Sequence, residues 1–173
     1  MTTFVALLRG INVGGNKKVP MAQLRVAMEK AGFTDVTTLL ASGNVVFKST
    51  KAQTKTVQPL LEKTFGFSIS TIIIDHETVK KIITSNPFQN IKVTPKTRLY
   101  VTFLKDKEAS TLKIPYTSDD QSFTIIKKQD GMVFSVLDLA KSGTVDAMKI
   151  LEQEFGKNIT TRNYNTVEKI AKL

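Results

Sequence analysis

The chain is 173 residues long, with 41% apolar residues, no cysteine and a single histidine; it is long enough to bury a core as one large domain or two small halves, and without cysteine it has no disulfide, thiolate metal site or cysteine nucleophile. No apolar run is long enough to cross a bilayer and no basic segment leads into an apolar signal core, so no membrane partner and a cytoplasmic location are expected. A formal charge of +10 and a pI near 9.8 suit anionic partners or, equally, a lysine-rich solvated surface, since no cationic run exceeds pairs such as Lys17-Lys18.

In chain order, Phe4-Val5-Ala6-Leu7-Leu8 is a continuous apolar run that predicts a buried strand over 3–9. Pro20 fits the first position of a helix over 20–31. Gly32 fits the left-handed position that closes that helix, with Phe33 reaching back to Met28. Strands over 35–41 and 45–49 flank the tight turn Ser42-Gly43-Asn44. A helix over 52–65 ends at Gly66 in the same way, and a strand over 67–74 precedes a helix over 76–85 with Asp75 as its cap. The stretch from Asn86-Pro87-Phe88 to Pro95 breaks periodicity and reads as a connector. Beyond it come a strand over 98–105, a short helix over 107–113, strands over 122–128 and 131–137, a helix over 144–155, a strand over 159–162 and a helix over 165–172.

Three echoes tie the two stretches together. Phe4-Val5-Ala6-Leu7-Leu8 returns as Tyr100-Val101-Thr102-Phe103-Leu104, Leu61-Glu62 with Phe65-Gly66 returns as Leu151-Glu152 with Phe155-Gly156, and Thr78-Val79-Lys80-Lys81-Ile82 returns as Thr166-Val167-Glu168-Lys169-Ile170. Their order is the same in both halves. The expected fold is therefore α+β: a tandem duplication of two ferredoxin-like β-α-β-β-α-β halves, 1–85 and 98–173, each with a trailing helix and joined by a connector over 86–97. Right-handed crossovers would set the first strand beside the third, and the Arg9–Lys18 loop beside the Ser42–Asn44 turn.

What the repeat leaves unexplained is where a site is sought. The first half carries the long loop Arg9-Gly10-Ile11-Asn12-Val13-Gly14-Gly15-Asn16-Lys17-Lys18, and the second carries the polar run Thr160-Thr161-Arg162-Asn163-Tyr164-Asn165. Glycines, asparagines and cations between a strand end and a helix start suit an anion. Val19, extended before proline, cannot cap the helix with its side chain, so the amides of Met21, Ala22 and Gln23 need other partners. Water, Ser42, Asn44 or a bound anion could serve; the plainer alternative is an internal cap from Asn12 or Asn44, with the glycines serving only the turn. The candidate ligand-binding residues are Arg9, Asn12, Gly14, Gly15, Lys17, Lys18, Ser42, Asn44, Arg162 and Asn163.

Familiar chemistry is missing. Neither a phosphate-binding Gly-x-x-x-x-Gly-Lys-Ser/Thr loop nor a Gly-x-Gly-x-x-Gly fingerprint occurs, nor a Gly-x-Ser-x-Gly elbow. His76 is expected as a surface residue in the first turn of its helix, Asp119-Asp120 as a solvated turn rather than a magnesium site, and a zinc site would have to be built mostly from carboxylates. No catalytic residue can be assigned, and no motif calls for a cofactor or a metal.

Leu7-Leu8-Arg9-Gly10-Ile11-Asn12-Val13-Gly14-Gly15, Val19-Pro20-Met21, Ala41-Ser42-Gly43-Asn44-Val45-Val46-Phe47, Asn86-Pro87-Phe88 and Thr160-Thr161-Arg162-Asn163-Tyr164-Asn165-Thr166 resemble the domain-of-unknown-function 1697 family over nearly the whole chain. Members more often carry tryptophan where this chain has Tyr164, so an aromatic is kept. The resemblance implies a bacterial-type cytosolic protein of two ferredoxin-like halves and brings no activity, substrate or cofactor. The leading functional expectation is therefore binding of a nucleotide, a nucleic acid or a phosphorylated metabolite at the Arg9–Lys18 loop. Its rivals are a small enzyme acting on an anionic metabolite through Arg9, Asn12, Ser42 and Asn163, and an interaction module without chemistry.

Overall fold

The apolar run at the N-terminus forms β1, Thr2–Leu8, in a computed structural model that describes residues 1–106, 110–141 and 146–173. Two antiparallel sheets and five α-helices occur among these residues, a mixed α+β architecture. The chain divides into two compact units, Met1–Lys81 with Lys169–Leu173, and Ile82–Glu168.

In the first unit β1 is an inner strand. It lies antiparallel to β3, Asn44–Ser49, on one side and to β4, Thr71–Asp75, on the other, and β2, Thr34–Leu39, pairs with β3. The order β2-β3-β1-β4 sets the first strand beside the third, as the crossover argument requires. A strand enclosed on both faces must be apolar at every position, and Phe4 through Leu8 are all buried. Alternation sends Phe4, Ala6 and Leu8 to one face. They share a core there with Leu24 and Met28 of α1, Met21–Lys30, and with Val57 and Leu61 of α2, Val57–Phe65. Phe47 stacks edge-on against Phe33, ring centres 5.3 Å apart.

Both helix ends follow the expected glycine logic. The N–H groups of Gly32 and Phe33 return to the carbonyls of Glu29 and Met28 at 3.0 and 3.1 Å, a pattern that needs Gly32 at φ +91°. Gly66 closes α2 at φ +80° with its N–H 2.9 Å from the Glu62 carbonyl. The helix expected over 52–65 opens as a tight helical turn, Gln53–Thr56. The strand expected from 67 begins only at Thr71; ahead of it Ile69 N–H donates to Glu62 Oε1 of α2 at 3.0 Å, and at its first residue Thr71 N–H donates to Gln58 Oε1 of α2 at 3.3 Å.

His76 corrects the sequence expectation more sharply. β4 runs without a loop into α3, His76–Ser85, and the ring is 4% exposed. Its Nε2 lies 2.8 Å from the carbonyl of Ile170, in the last turn of α5, Tyr164–Ala171. A carbonyl only accepts, so Nε2–H is the donor. The Ile170 carbonyl, at a helix end where such groups commonly find partners outside the regular ladder, accepts this bond together with one from Leu173 N–H at 3.2 Å.

The second unit holds β5 (Thr97–Leu104), β6 (Tyr116–Thr117), β7 (Phe123–Gln129), β8 (Met132–Asp138) and β9 (Ile159–Asn163) in the order β6-β7-β8-β5-β9. Under the sheet lies α4, Ala147–Phe155, whose start is capped by Asp146 Oδ1 accepting from Lys149 N–H at 3.1 Å. Leu151 and Phe155 enter a core with Leu104, Phe123, Ile125, Val133 and Ile159. Of the helix expected over 107–113, residues 107–109 lie outside the described residues and 110–113 are not helical. Leu112 and Ile114 instead pack irregularly on the core. β6 was not foreseen; two residues carry no periodic signal. Residues 144 and 145 of the helix expected over 144–155 also lie outside the described residues.

Candidate functional site

In the first unit the Arg9–Lys18 loop is built as a small hairpin. Asn16 N–H donates to the Val13 carbonyl and Asn12 N–H to the Lys17 carbonyl, both at 3.1 Å. Gly14 and Gly15 stand between them at φ +60° and +76°, the signs that a two-residue primed turn demands. A Cβ at either would meet nothing within 4 Å, so backbone conformation alone selects glycine there.

Asn12, itself at φ +55°, holds the loop in place. Its Oδ1 accepts from Val19 N–H at 2.8 Å, and its Nδ2 donates to the carbonyls of Val19 at 3.0 Å and of Ala41 at 2.7 Å. The last bond joins the loop to the hairpin between β2 and β3, as does Leu8 N–H to the Gly43 carbonyl at 2.9 Å. Gly43 fits because it lacks a side chain: a Cβ there would sit 2.7 Å from Leu8 Cβ and 2.8 Å from Ile11 Cδ1. Asn44 is fully buried, its Nδ2 donating to the Leu39 carbonyl at 2.8 Å and to Ser42 Oγ at 3.2 Å.

The loop and the Ser42–Asn44 turn are therefore neighbours. Asn12 and Asn44 are committed to the scaffold. Gly14, Gly15, Lys17, Lys18 and Ser42 are exposed, and Arg9 is half-buried with its N–H on the Ser70 carbonyl at 2.9 Å. Lys17 Nζ reaches the Ser68 carbonyl at 3.3 Å. Pro20 occupies the cap position of α1, one residue before the place the sequence suggested, and no side chain caps the helix. Asn12 binds the residue ahead of the cap rather than the first-turn amides.

Arg162 and Asn163 belong to the second unit. Arg162 is 8% exposed. Its Nη1 donates to Thr160 Oγ1 at 2.7 Å, two residues back on the same face of β9, and to the Thr161 carbonyl at 3.1 Å. Burial pushes its guanidinium down to about 10. Asn163 is exposed and lines a cleft of about 330 Å³ with Arg98, Leu99, Tyr164, Asn165 and Thr166. Tyr164 packs edge-on against Phe88 at 4.9 Å, and burial, followed by the charge of Glu168, raises its phenol above the ordinary range. Arg98 was missed from sequence because it stands in no motif; the alternation of Thr97-Arg98-Leu99-Tyr100 was its only signal. The Asp119-Asp120 turn is self-contained, with Asp120 Oδ1 accepting from Ser118 Oγ at 2.7 Å and from Ser122 N–H at 3.0 Å.

Among the described residues no helix is long and apolar enough to cross a membrane. The model of the family described as "Protein of unknown function (DUF1697)" matches residues 1–129, and the chain belongs to that family. No curated protein matches it. A solved structure, the conserved bacterial protein SP0830 from Streptococcus pneumoniae, is similar at a TM-score of 0.74 and 23% identity, covering 99% of this chain and 97% of its own. At that identity the likeness concerns the fold alone.

Proposed function

We propose that this member of the family binds a phosphate-bearing anion, a nucleotide or a nucleic acid, at the Arg9–Lys18 loop, and does so in the cytoplasm. The observation that carries the reading is the start of α1, uncapped by any side chain, beside exposed Lys17 and Lys18. Helix-start amides and cations attract the same negative charge. The side-chain-free tip at Gly14 and Gly15 lets phosphate oxygens approach the backbone, and Arg9 and Ser42 stand at the same end of the sheet. Asn12 and Gly43 hold the loop in one shape, which lowers the ordering cost of binding. The absence of cysteine suits a reducing compartment.

The proposal extends to descent: the halves 1–85 and 98–173, joined over 86–97, derive from duplication of a ferredoxin-like β-α-β-β-α-β unit. In support, β2-β3-β1-β4 is matched by β7-β8-β5-β9, and Gly66 and Gly156 both close a helix with N–H 2.9 Å from the carbonyls of Glu62 and Glu152. Against it stands the lack, among the described residues, of a helix between β5 and β7. Superposing β1, β3, β4 and α2 on β5, β8, β9 and α4 tests the idea; opposed strand directions would end it.

Thermal-shift titration with ATP, GTP and sugar phosphates tests the binding. A true ligand at a hundredfold excess over its Kd adds about 2.7 kcal/mol of stability, and the Lys17→Ala/Lys18→Ala double variant should lose most of that gain. No saturable shift with any of these compounds, and no retention on nucleic acid, would overturn the reading.

A further inference from the structure

We propose that the cleft where β9 turns into α5 binds a small oxyanion-bearing metabolite, a carboxylate or a phosphate ester, with Arg98 as its anchoring cation. The cleft is built from other residues than the Arg9–Lys18 loop, and neither reading needs the other. Its volume, about 330 Å³, is at the small end of ligand sites and suits a metabolite rather than a polymer.

The lining is rich in donors. Along β5, Leu104 N–H donates toward Gly131 on the β8 side, and Lys105 N–H toward Asn158 on the β9 side. By antiparallel alternation Leu99 N–H points to the β9 side. Pairing with β9 ends where Asn163 stands opposite Tyr100, so this N–H lies just past the end of the ladder, at the cleft that Leu99 lines. Arg98 comes next to it. Its Nη1 donates to the carbonyls of Pro95 at 2.8 Å and of Thr97 at 3.1 Å, which orients the guanidinium, and its Nε and Nη2 make no hydrogen bond among the described residues. A guanidinium fixed by one nitrogen with two others open suits the paired oxygens of a carboxylate or phosphate.

The asparagines add to this. In the first unit the amides of Asn12 and Asn44 are committed to backbone carbonyls. The side chains of Asn163, Asn165 and Thr166 make no hydrogen bond among the described residues, and all three line the cleft. No aspartate or glutamate is in the lining; Glu168 follows one turn along α5. Leu99 and the ring of Tyr164, fixed against Phe88 at 4.9 Å, offer an apolar wall to the body of the ligand.

Titration of the nitrogen-15-labelled full chain tests the proposal, with succinate in one arm and inorganic phosphate in the other, at constant ionic strength. At least one anion should cause saturable NMR shifts of Leu99 N–H, Arg98 Nε–H and the Asn163 and Asn165 side-chain amides, and the responding arm identifies the oxyanion. Arg98→Ala should weaken that binding roughly ten- to hundredfold, and Arg98→Lys should restore part of it. Lys17→Ala/Lys18→Ala should leave it unchanged, which separates this site from the loop. Arg98 is exposed, so the variant is expected to fold; if its spectrum is not native, Arg98→Gln must show the same loss. No saturable shift in either arm, linear shifts spread over surface lysines, or undiminished binding by a folded Arg98 variant would overturn the proposal.

Discussion

Gly43 is constrained twice over. Its φ of +89° lies in the left-handed region, and a Cβ would meet Leu8 Cβ at 2.7 Å, an atom fixed to a central strand that cannot swing aside. Gly43→Ala should therefore cost about 2–4 kcal/mol, the sum of left-handed strain and overpacking, measurable as a lowered urea midpoint. The same change at Gly14, where a Cβ would meet nothing within 4 Å, should cost only the conformational part, about 1–2 kcal/mol. Asp120 makes a residue-scale prediction in pH. The Ser118 hydroxyl, then the Ser122 N–H, hold its carboxyl below the ordinary aspartate value. A lowered folded-state pKa means that the stabilisation is fully present above the unfolded value, about 3.9, and is lost as pH falls through the folded one. In a carbon-13 NMR titration, Ser118→Ala should move the Asp120 midpoint upward; an unmoved midpoint would remove the hydroxyl as its cause.

At the scale of elements, the Arg9–Lys18 loop depends on Asn12. Asn12→Ala removes three hydrogen bonds, two to Val19 and one to Ala41, and leaves the amide and carbonyl of buried Val19 without those partners. The expected cost is about 2–3 kcal/mol, with faster hydrogen exchange of loop amides while the β1 amides stay protected. Equal loosening of both would mean that Asn12 supports the sheet rather than the loop. The sequence announced this loop through its glycines and cations, and it offered Asn12 as one candidate cap. The partner that matters, the Ala41 carbonyl, is 29 positions away, and no local pattern reveals such a pairing. Elements with a strong period were legible: β1 from its unbroken apolar run, and α1 with its closing Gly32 and Phe33. Where a side chain or tertiary packing competes with the backbone pattern, legibility failed. Glu62 and Gln58 bond amides ahead of and at the start of β4, Leu112 and Ile114 pack without forming a helix, and His76 bonds a carbonyl 94 positions away. Arg162 was legible as a cation but not as a buried one, since Ile159-Thr160-Thr161-Arg162-Asn163 carries no clear alternation of polar and apolar residues.

Over the whole molecule the governing quantity is charge. Twenty-five basic residues against fifteen acidic give +10, and the excess is shared: residues 1–85 carry 11 against 5 and residues 86–173 carry 14 against 10. A diffuse excess of this kind attracts any polyanion at low salt and discriminates poorly among them. A site is distinguished from that background by the part of the salt dependence that a few substitutions remove. Each phosphate neutralised by a lysine releases counterions, so the logarithm of affinity falls linearly with the logarithm of salt, with a slope near −0.9 per neutralised phosphate on a duplex. If Lys17 and Lys18 hold phosphates at the start of α1, Lys17→Ala/Lys18→Ala should flatten the slope by about two units in all, one for each lysine removed. Substituting Lys127 and Lys128, a pair of equal charge on β7, should flatten it by less. The melting temperature should change little in the Lys17/Lys18 variant, because both side chains are exposed and Lys17 gives up only a 3.3 Å bond to a carbonyl. Retention on immobilised duplex DNA and on single-stranded RNA across a salt series measures the slopes directly. Equal flattening by the two lysine pairs would reduce nucleic-acid binding to net charge alone, and would leave the loop to a nucleotide-sized ligand.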